Sequence, residues 1–138
     1  MFPNLNKNSA TKNKNKIFKN GLIIGVDFGT SGISCAYGVL ESENMPISIH
    51  FNGKVKIPAE IILDDGLNVK AFGDDCSSYY NSLKEGNLHH FYKIKMNLYE
   101  KKYKIKARNS DKVLDIKYVL KLMLIEIKKK DNRTNKIE

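Results

Sequence analysis

Short runs of branched apolar residues, separated by turns rich in glycine and aspartate, dominate the chain between residues 21 and 72. The nearly continuous apolar run at residues 22–28 is typical of a buried strand. Alternating small and apolar residues at 33–40 indicate a second strand. The four residues 29–32 between them predict a tight turn. The pattern therefore predicts a β-hairpin at the start of the globular part.

Two more hairpins are predicted by the same signals. Apolar and polar residues alternate over 47–51 and again at Val55 and Ile57, on either side of an Asn52-Gly53 turn signal. Residues 60–63 and 69–72 flank a second turn, Asp64-Asp65-Gly66. The following Gly73-Asp74-Asp75 predicts a short helix to about residue 83, with an aspartate capping its free N–H groups.

The second half alternates between strand and helix signals. Apolar alternation over 89–99 predicts a strand, and residues 104–107 and 113–114 predict a hairpin around the loop 108–111. The clearest helix runs from 115 to 130, with Asp115 and the lysines 128–130 placed to match its dipole. Its apolar stripe is wide. A membrane surface is an alternative for this stripe, but its width favours burial in a core.

Composition and charge exclude several classes of protein. Hydrophobic residues make up 41% and charged residues 28%, and no apolar run approaches the ~18 residues of a membrane span. The net charge of +9 is concentrated at the ends, in a basic tail at 1–20 that we expect to be disordered and in residues 128–138. Only Arg108 and Arg133 are arginine, the residue best suited to nucleic-acid readout. We therefore expect no nucleic-acid or membrane partner.

Cysteine and histidine offer no framework for a disulfide or a metal site. Cys35 and Cys76 are predicted to be free buried thiols, and the absence of an apolar secretory signal predicts a cytoplasmic location. His89-His90 could suggest a metal pair, but neighbours on a strand face opposite sides, so we expect both at the surface or a sheet edge. Tyr79-Tyr80 could form a stacking platform, although core packing of one ring is favoured.

One segment, residues 25–32 (Gly-Val-Asp-Phe-Gly-Thr-Ser-Gly), indicates chemistry. Gly29 and Gly32 can take the positive φ that lets successive N–H groups converge on an oxyanion. The hydroxyls of Thr30 and Ser31 add donors, and Asp27 at the strand end could hold Mg²⁺ through water. The alternative is a plain hairpin in which these residues serve turn geometry alone. The spacing is not that of a Walker P-loop, which needs a lysine and a following helix.

This turn resembles the first phosphate motif of the actin, sugar-kinase and heat-shock-70 ATPase superfamily. The resemblance continues in register: Ile57-Pro58-Ala59 is similar to the family's "TPS" strand, and 71–75 to its "GxxA" entry into a helix. Phe72-Gly73, Tyr79-Tyr80, residues 91–96 and the long helix are similar to the divergent heat shock 70 kDa protein 12 group. The resemblance covers 21–138. A sugar-kinase-like relative shares the turn, but residues 57–99 match the chaperone branch better.

The resemblance implies a ribonuclease-H-like α/β fold, with a mixed sheet over 21–72, a short helix and the long helix near 115–130. It implies that ATP or ADP is bound with Mg²⁺. Asp27 would associate with the ion, and Gly29, Thr30 and Ser31 would contact the phosphates. Gly32 closes the same loop, but it stands where the family has Asn or Tyr.

The resemblance also implies a catalytic lysine that orients the γ-phosphate and the attacking water. Lys95 is the best match, with Lys93 as the alternative. The family's later phosphate and adenosine motifs are absent. Residues 21–138 are therefore interpreted as a first lobe truncated at its C-terminus, and little ATPase activity is expected from it alone. Clients or co-chaperones are the implied partners, and a non-catalytic fragment that binds another protein, or has no function, is the alternative.

Overall fold

A computed structural model describes residues 21–41 and 43–134, so the predicted disordered tail at 1–20 lies outside the described residues. The described part contains both strands and helices, in agreement with the predicted α/β class. Its elements are β1 (Leu22–Phe28), β2 (Ile33–Val39), β3 (Ile47–Ser48), β4 (Lys56–Ile57), β5 (Ile61–Asp64), β6 (Val69–Phe72), the 3₁₀ helices Gly73–Tyr79 and Ser82–Glu85, β7 (Leu88–Phe91), α1 (Ile94–Tyr99), β8 (Lys104–Lys106), β9 (Val113–Asp115) and α2 (Ile116–Thr134).

Three of the four predicted hairpins are confirmed, whereas the segments on either side of Asn52-Gly53 pair with each other only through the single bridge between Phe51 and Lys54. β1 and β2 pair in register from Leu22 opposite Val39 to Phe28 opposite Ile33. β5 pairs with β6, and β8 pairs with β9. β3 and β4 both pair with β2, and between them the predicted Asn52-Gly53 turn has positive φ at both residues (50° and 81°). This is the conformation that a two-residue hairpin loop favours.

The single mixed sheet expected over residues 21–72 is wrong in the part of the chain that the structure describes. Its strands belong to two sheets, one built on β1–β2 and one with the order β6-β5-β7, and every pair is antiparallel. The short turns explain this, because a parallel pair requires a crossover of about a dozen residues or more. Pro58, directly after β4, has no N–H to continue the ladder with β2.

The main core lies between the two larger sheets and α2. Ile33 of β2, Ile61 and Leu63 of β5, and Val119 and Met123 of α2 are all completely shielded from solvent, at 0% exposure. Ile62, on the other face of β5, belongs to a smaller cluster with Ala71, Cys76 and Leu88. Because successive strand residues point to opposite faces, this second sheet is buried on both sides.

Two local predictions are wrong. No side chain caps the helix after β6; its N-cap is Phe72, and Asp74 and Asp75 instead form ion pairs with Lys54 and Lys130. The strand predicted over 89–99 ends at Phe91, and α1 follows after Lys93, whose φ of 56° breaks the extended backbone. A short apolar alternation does not by itself distinguish a strand from one turn of helix.

The long helix is confirmed and is longer than predicted, since α2 ends at Thr134. The Asp115 carboxylate accepts a hydrogen bond of 2.7 Å from the N–H of Lys117, so Asp115 caps the helix start. Among the described residues, no helix combines the length and apolar character that crossing a membrane requires.

Both cysteines are free and buried, as predicted. Burial raises the pKa of Cys35 to about 11, and burial together with the nearby Glu60 and Asp75 charges raises the pKa of Cys76 to about 12. Because the thiolate is the reactive form, we expect neither thiol to react with Ellman's reagent at pH 8 in the folded chain. Both should react at once in guanidinium. Rapid labelling of the native chain would contradict the described packing.

Candidate functional site

The turn between β1 and β2 is closed by one backbone hydrogen bond. The N–H of Gly29 donates to the carbonyl of Gly32 over 2.8 Å. The next three N–H groups, of Thr30, Ser31 and Gly32, make no hydrogen bond to another described residue. Thr30 and Ser31 are exposed at the tip. The turn therefore holds three successive N–H groups that have no hydrogen-bond partner among the described residues; Thr30 and Ser31 are exposed, and Gly32 is buried.

The turn needs glycine for a different reason from the one predicted. Neither Gly29 nor Gly32 has a positive φ. A Cβ on Gly32 would lie 2.4 Å from the carbonyl oxygen of Ile57, and one on Gly29 would lie 3.0 Å from the carbonyl oxygen of Gly32. Two backbone segments thus approach each other more closely than any side chain would permit.

Asp27 lies on the outward face of the hairpin, opposite Ser34 in the strand register, and is exposed. The same face carries Gly25 and Ala36 as cross-strand partners. These small residues leave a shallow groove of about 410 Å³, which is also lined by Ser48 of β3. That volume lies within the range of small-molecule pockets, roughly 300–1,000 Å³. The carboxylate therefore stands between this groove and the turn.

A cation beside the turn was missed by sequence reasoning. The Nζ of Lys56 lies 3.9 Å from where a Cβ on Gly29 would be, and its Cε lies 3.2 Å from the corresponding position on Gly32. Lys56 makes no ion pair with a described carboxylate. It reaches the turn because β4 pairs with β2, which sets Lys56 opposite Ser34. A two-residue strand gives no sequence signal for that pairing.

The two lysines predicted for catalysis lie in or next to α1. Lys95 is exposed in the first turn of this helix, and Lys93 precedes it with its ammonium 5.3 Å from the ring centre of Tyr92. Within residues 21–41 and 43–134, neither lysine has a hydrogen bond or ion pair to the turn. The lysine that the structure brings to the turn is Lys56.

A buried polar network lies elsewhere, at the end of β7. His90 is 1% exposed, and its Nε2 is 2.5 Å from a Glu60 oxygen; the Tyr80 hydroxyl donates to the other oxygen over 2.6 Å. The rings of Tyr80 and Tyr92 each lie 5.5 Å from the His90 ring. Burial would raise the pKa of Glu60, but the hydrogen bonds from His90 and Tyr80 and the charges of His90 and Arg108 hold it below its ordinary value.

His89-His90 was expected at the surface or a sheet edge: β7 is an edge strand of its sheet, but both side chains are buried rather than at the surface, and the two rings contact different partners. His89 is also buried, with Nδ1 2.7 Å from Ser110 Oγ and Nε2 2.8 Å from an Asp65 oxygen. The loop after β8 covers the strand, because the N–H of Arg108 donates to the carbonyl of His90. Asn109 accepts from the N–H of His90 and donates to the carbonyls of Leu83 and Leu88. These bonds tie three elements together.

The groups at the turn are of the kinds that bind an oxyanion: three N–H groups without a described partner, two hydroxyls and the nearby Lys56 ammonium. Unpaired N–H groups, hydroxyls and an ammonium bind phosphate oxygens, and Mg²⁺ usually takes one or two carboxylates together with substrate phosphates and water. Asp27 is an exposed carboxylate that could supply one such ligand. In the described ranges, no group of three or more His, Cys, Asp or Glu side chains could hold a metal ion by itself. No protein-family model, curated protein or solved structure matches the chain.

Proposed function

We propose that the chain is the ATP-binding portion of a heat-shock-70-like ATPase and binds Mg-ATP phosphates through residues 25–32. The observation that supports this most strongly is the set of three successive unpaired N–H groups at Thr30, Ser31 and Gly32. A ribonuclease-H-like arrangement of the whole domain, a cytoplasmic location and chaperone clients or co-chaperones as partners belong to the same proposal.

The electrostatics of the turn favour an anion. Backbone N–H groups in a tight turn carry fixed partial positive charges, and the neighbouring Lys56 adds a full one. Hydrogen bonds from charged donors to phosphate oxygens are about twice as strong as neutral ones. The exposed Asp27 carboxylate, two residues before Gly29, would repel a bare phosphate bound at the turn. It becomes favourable only if a divalent cation lies between the two, so the site calls for the magnesium complex of the nucleotide.

The groove beside Asp27 provides room for the rest of the ligand. It extends from Asp27 over Gly25 and Ala36, where no side chain beyond a methyl group projects from the strands. A nucleotide whose phosphates contact the turn could continue along this face. We propose that this chain binds ATP rather than hydrolysing it, because among the described residues a single carboxylate, that of Asp27, lies next to the turn. Lys95, with Lys93 as the alternative, stays a prediction for catalysis.

The substitution Asp27→Asn tests the magnesium role. With Mg²⁺ present we expect about a tenfold loss of ATP affinity, measured by isothermal titration calorimetry on the full chain, because the amide keeps its size but loses its charge. In excess EDTA the same variant should bind ATP as well as the unmodified chain or better. Asp111→Asn is the matched control, because this exposed carboxylate is distant in sequence from residues 25–32 and forms its ion pair with Lys106.

Lys56→Met provides a second arm of the same experiment. An ammonium that contacts phosphate acts with or without the metal, so this variant should lose affinity in both buffers. Failure of the unmodified chain to bind Mg-ATP would refute the proposal. Equal binding by all variants would place the nucleotide elsewhere on the molecule.

A further inference from the structure

We propose that the outer face of α2 docks an acidic amphipathic helix of a partner protein, a function separate from nucleotide binding. This face carries a shallow groove of about 390 Å³. We call it the α2 groove, and it is lined by Lys117, Leu120, Lys121, Leu124, Ile125 and Lys128. Leu124 and Ile125 are 47% and 39% exposed, so the apolar floor of the groove is open to solvent.

The helix that carries this groove is firmly held from the other side. Val119, Met123 and Ile127 on its inner face are at most 2% exposed and belong to the main core. The α2 groove spans residues 117–128, about three helical turns or 16 Å. Its apolar residues, Leu120, Leu124 and Ile125, occupy the middle of that span, about 8 Å, which is long enough to contact side chains that a short helix presents at i and i+4.

The charge on the rim specifies the chemistry of the partner. Lys117, Lys121 and Lys128 make no ion pair with a described carboxylate, whereas Lys129 and Lys130 on the same helix are paired with Glu126 and Asp75. Three unpaired ammonium groups around three apolar side chains suit a helix whose leucines are flanked by glutamates. Such complementary charges raise the association rate and select the partner.

The same charges argue against two occupants from this chain itself. A second copy that used the same face would bring its lysines against these lysines. Residues 1–20 contain five lysines and no acidic residue, so the N-terminal segment would also be repelled. A lipid surface is disfavoured because the apolar floor is limited to three side chains in a groove between lysines. Helices that lie in a membrane interface instead present a broad, protruding apolar face.

The test uses a fluorescein-labelled peptide designed as a helix with leucines at i, i+4 and i+7 and glutamates beside them. Fluorescence anisotropy with the full chain should show saturable binding that weakens with added salt. A peptide of the same composition in scrambled order should bind at least about tenfold more weakly. Binding to vesicles of phosphatidylserine and phosphatidylcholine tests whether a lipid surface occupies the groove instead. Sedimentation of the chain alone tests whether a second copy does.

Leu124→Glu should weaken peptide binding about tenfold, and Lys121→Glu about threefold. Lys84→Glu, a change of the same charge on an exposed lysine outside the groove, should leave binding unchanged. Circular dichroism checks that Leu124→Glu still folds. If it does not fold, peptide binding is measured instead with the double variant Lys121→Glu, Lys128→Glu. The proposal is overturned if the peptide does not bind or if groove variants have no effect. It is also overturned if they abolish vesicle binding or self-association instead of peptide binding.

Discussion

Gly32→Ala should lower the free energy of unfolding by about 3 kcal/mol, a large share of the stability of a small domain. The added methyl would lie 2.4 Å from the carbonyl oxygen and 3.2 Å from the carbonyl carbon of Ile57. Both atoms are backbone, so no rotamer change can make room. Moving them would disturb the pairing of Ile57 with Ile33 and displace two side chains of the main core. Guanidinium unfolding followed by circular dichroism measures the loss.

Gly25→Ala is the matched control for this prediction. A Cβ on Gly25 meets its nearest neighbour, the carbonyl oxygen of Ala36, at 3.9 Å, an ordinary contact distance. Both glycines belong to the β1–β2 hairpin and neither has a positive φ, so only the space around them differs. We expect Gly25→Ala to remain within about 0.5 kcal/mol of the unmodified chain. Equal losses in both variants would show that close approach is not what requires glycine at position 32.

The same pair of variants separates two parts of the proposed nucleotide site. Gly32→Ala would move the turn and the unpaired N–H groups of Thr30 and Ser31. Gly25→Ala leaves the turn in place and adds one methyl to the floor of the groove. A phosphate contact at the turn therefore predicts weaker ATP binding for Gly32→Ala even at temperatures where that variant is folded.

Most of the strands could be predicted because their signals are local. The Asn52-Gly53 and Asp64-Asp65-Gly66 turns lie between apolar alternations, and a short turn between two strands fixes their antiparallel pairing. The way these hairpins combine into sheets could not be predicted. It depends on contacts between distant segments, such as Ile57 against Ile33. The prediction also missed the short helix Ile94–Tyr99, whose first residue is buried in the main core against segments distant in sequence, a contact that local spacing does not reveal.

The candidate site shows the same division. Asp27, Thr30 and Ser31 could be placed together from the sequence because they lie within five residues of one another, at the end of β1 and in the turn after it. Lys56 could not, because only the pairing of β4 with β2 brings it there. His89 and His90 were expected at an edge, where polar residues belong. The loop from Arg108 to Ser110 covers that edge, and its partner atoms come from some 20 residues away in sequence. Long-range hydrogen bonds of this kind leave no pattern in a single sequence.

Glu60→Ala should destabilise the chain by about 3 kcal/mol, because removing the carboxylate leaves the buried His90 ring without its hydrogen-bond partner. His90 is buried, and its Nδ1 already has no hydrogen-bond partner in the described part of the chain. Loss of the carboxylate would leave its Nε2 and the Tyr80 hydroxyl unpaired as well. Glu43→Ala, at an exposed glutamate, should change stability by less than about 0.5 kcal/mol. A loss of the same size in both variants would contradict a special role for the network.

The dependence of the free energy of unfolding on pH, on the acid side, provides an independent measure of the same network. The pKa of Glu60 is lower in the folded chain than its ordinary value of 4.5, so the folded state binds fewer protons than the unfolded state below that pH. This stabilisation is complete above the unfolded pKa and is lost as the pH falls through the lower folded pKa. Glu60→Gln, which cannot ionise, should therefore lose stability less steeply as the pH falls below about 5.

Ionisation of Tyr80 should give the opposite dependence at high pH, where the free energy of unfolding falls as the pH rises. Burial and the hydrogen bond to Glu60 raise the pKa of Tyr80 to about 12, above its ordinary value of 10. The folded state therefore holds this proton longer than the unfolded state, and the associated stabilisation is present below pH 10 and is lost as the pH rises toward 12. Tyr80→Phe removes the ionisable group, so its stability should fall less steeply over that range. If Glu60→Gln left the stability at acid pH unchanged and Tyr80→Phe left the stability at high pH unchanged, the proposed contribution of the Glu60–His90–Tyr80 network would be contradicted.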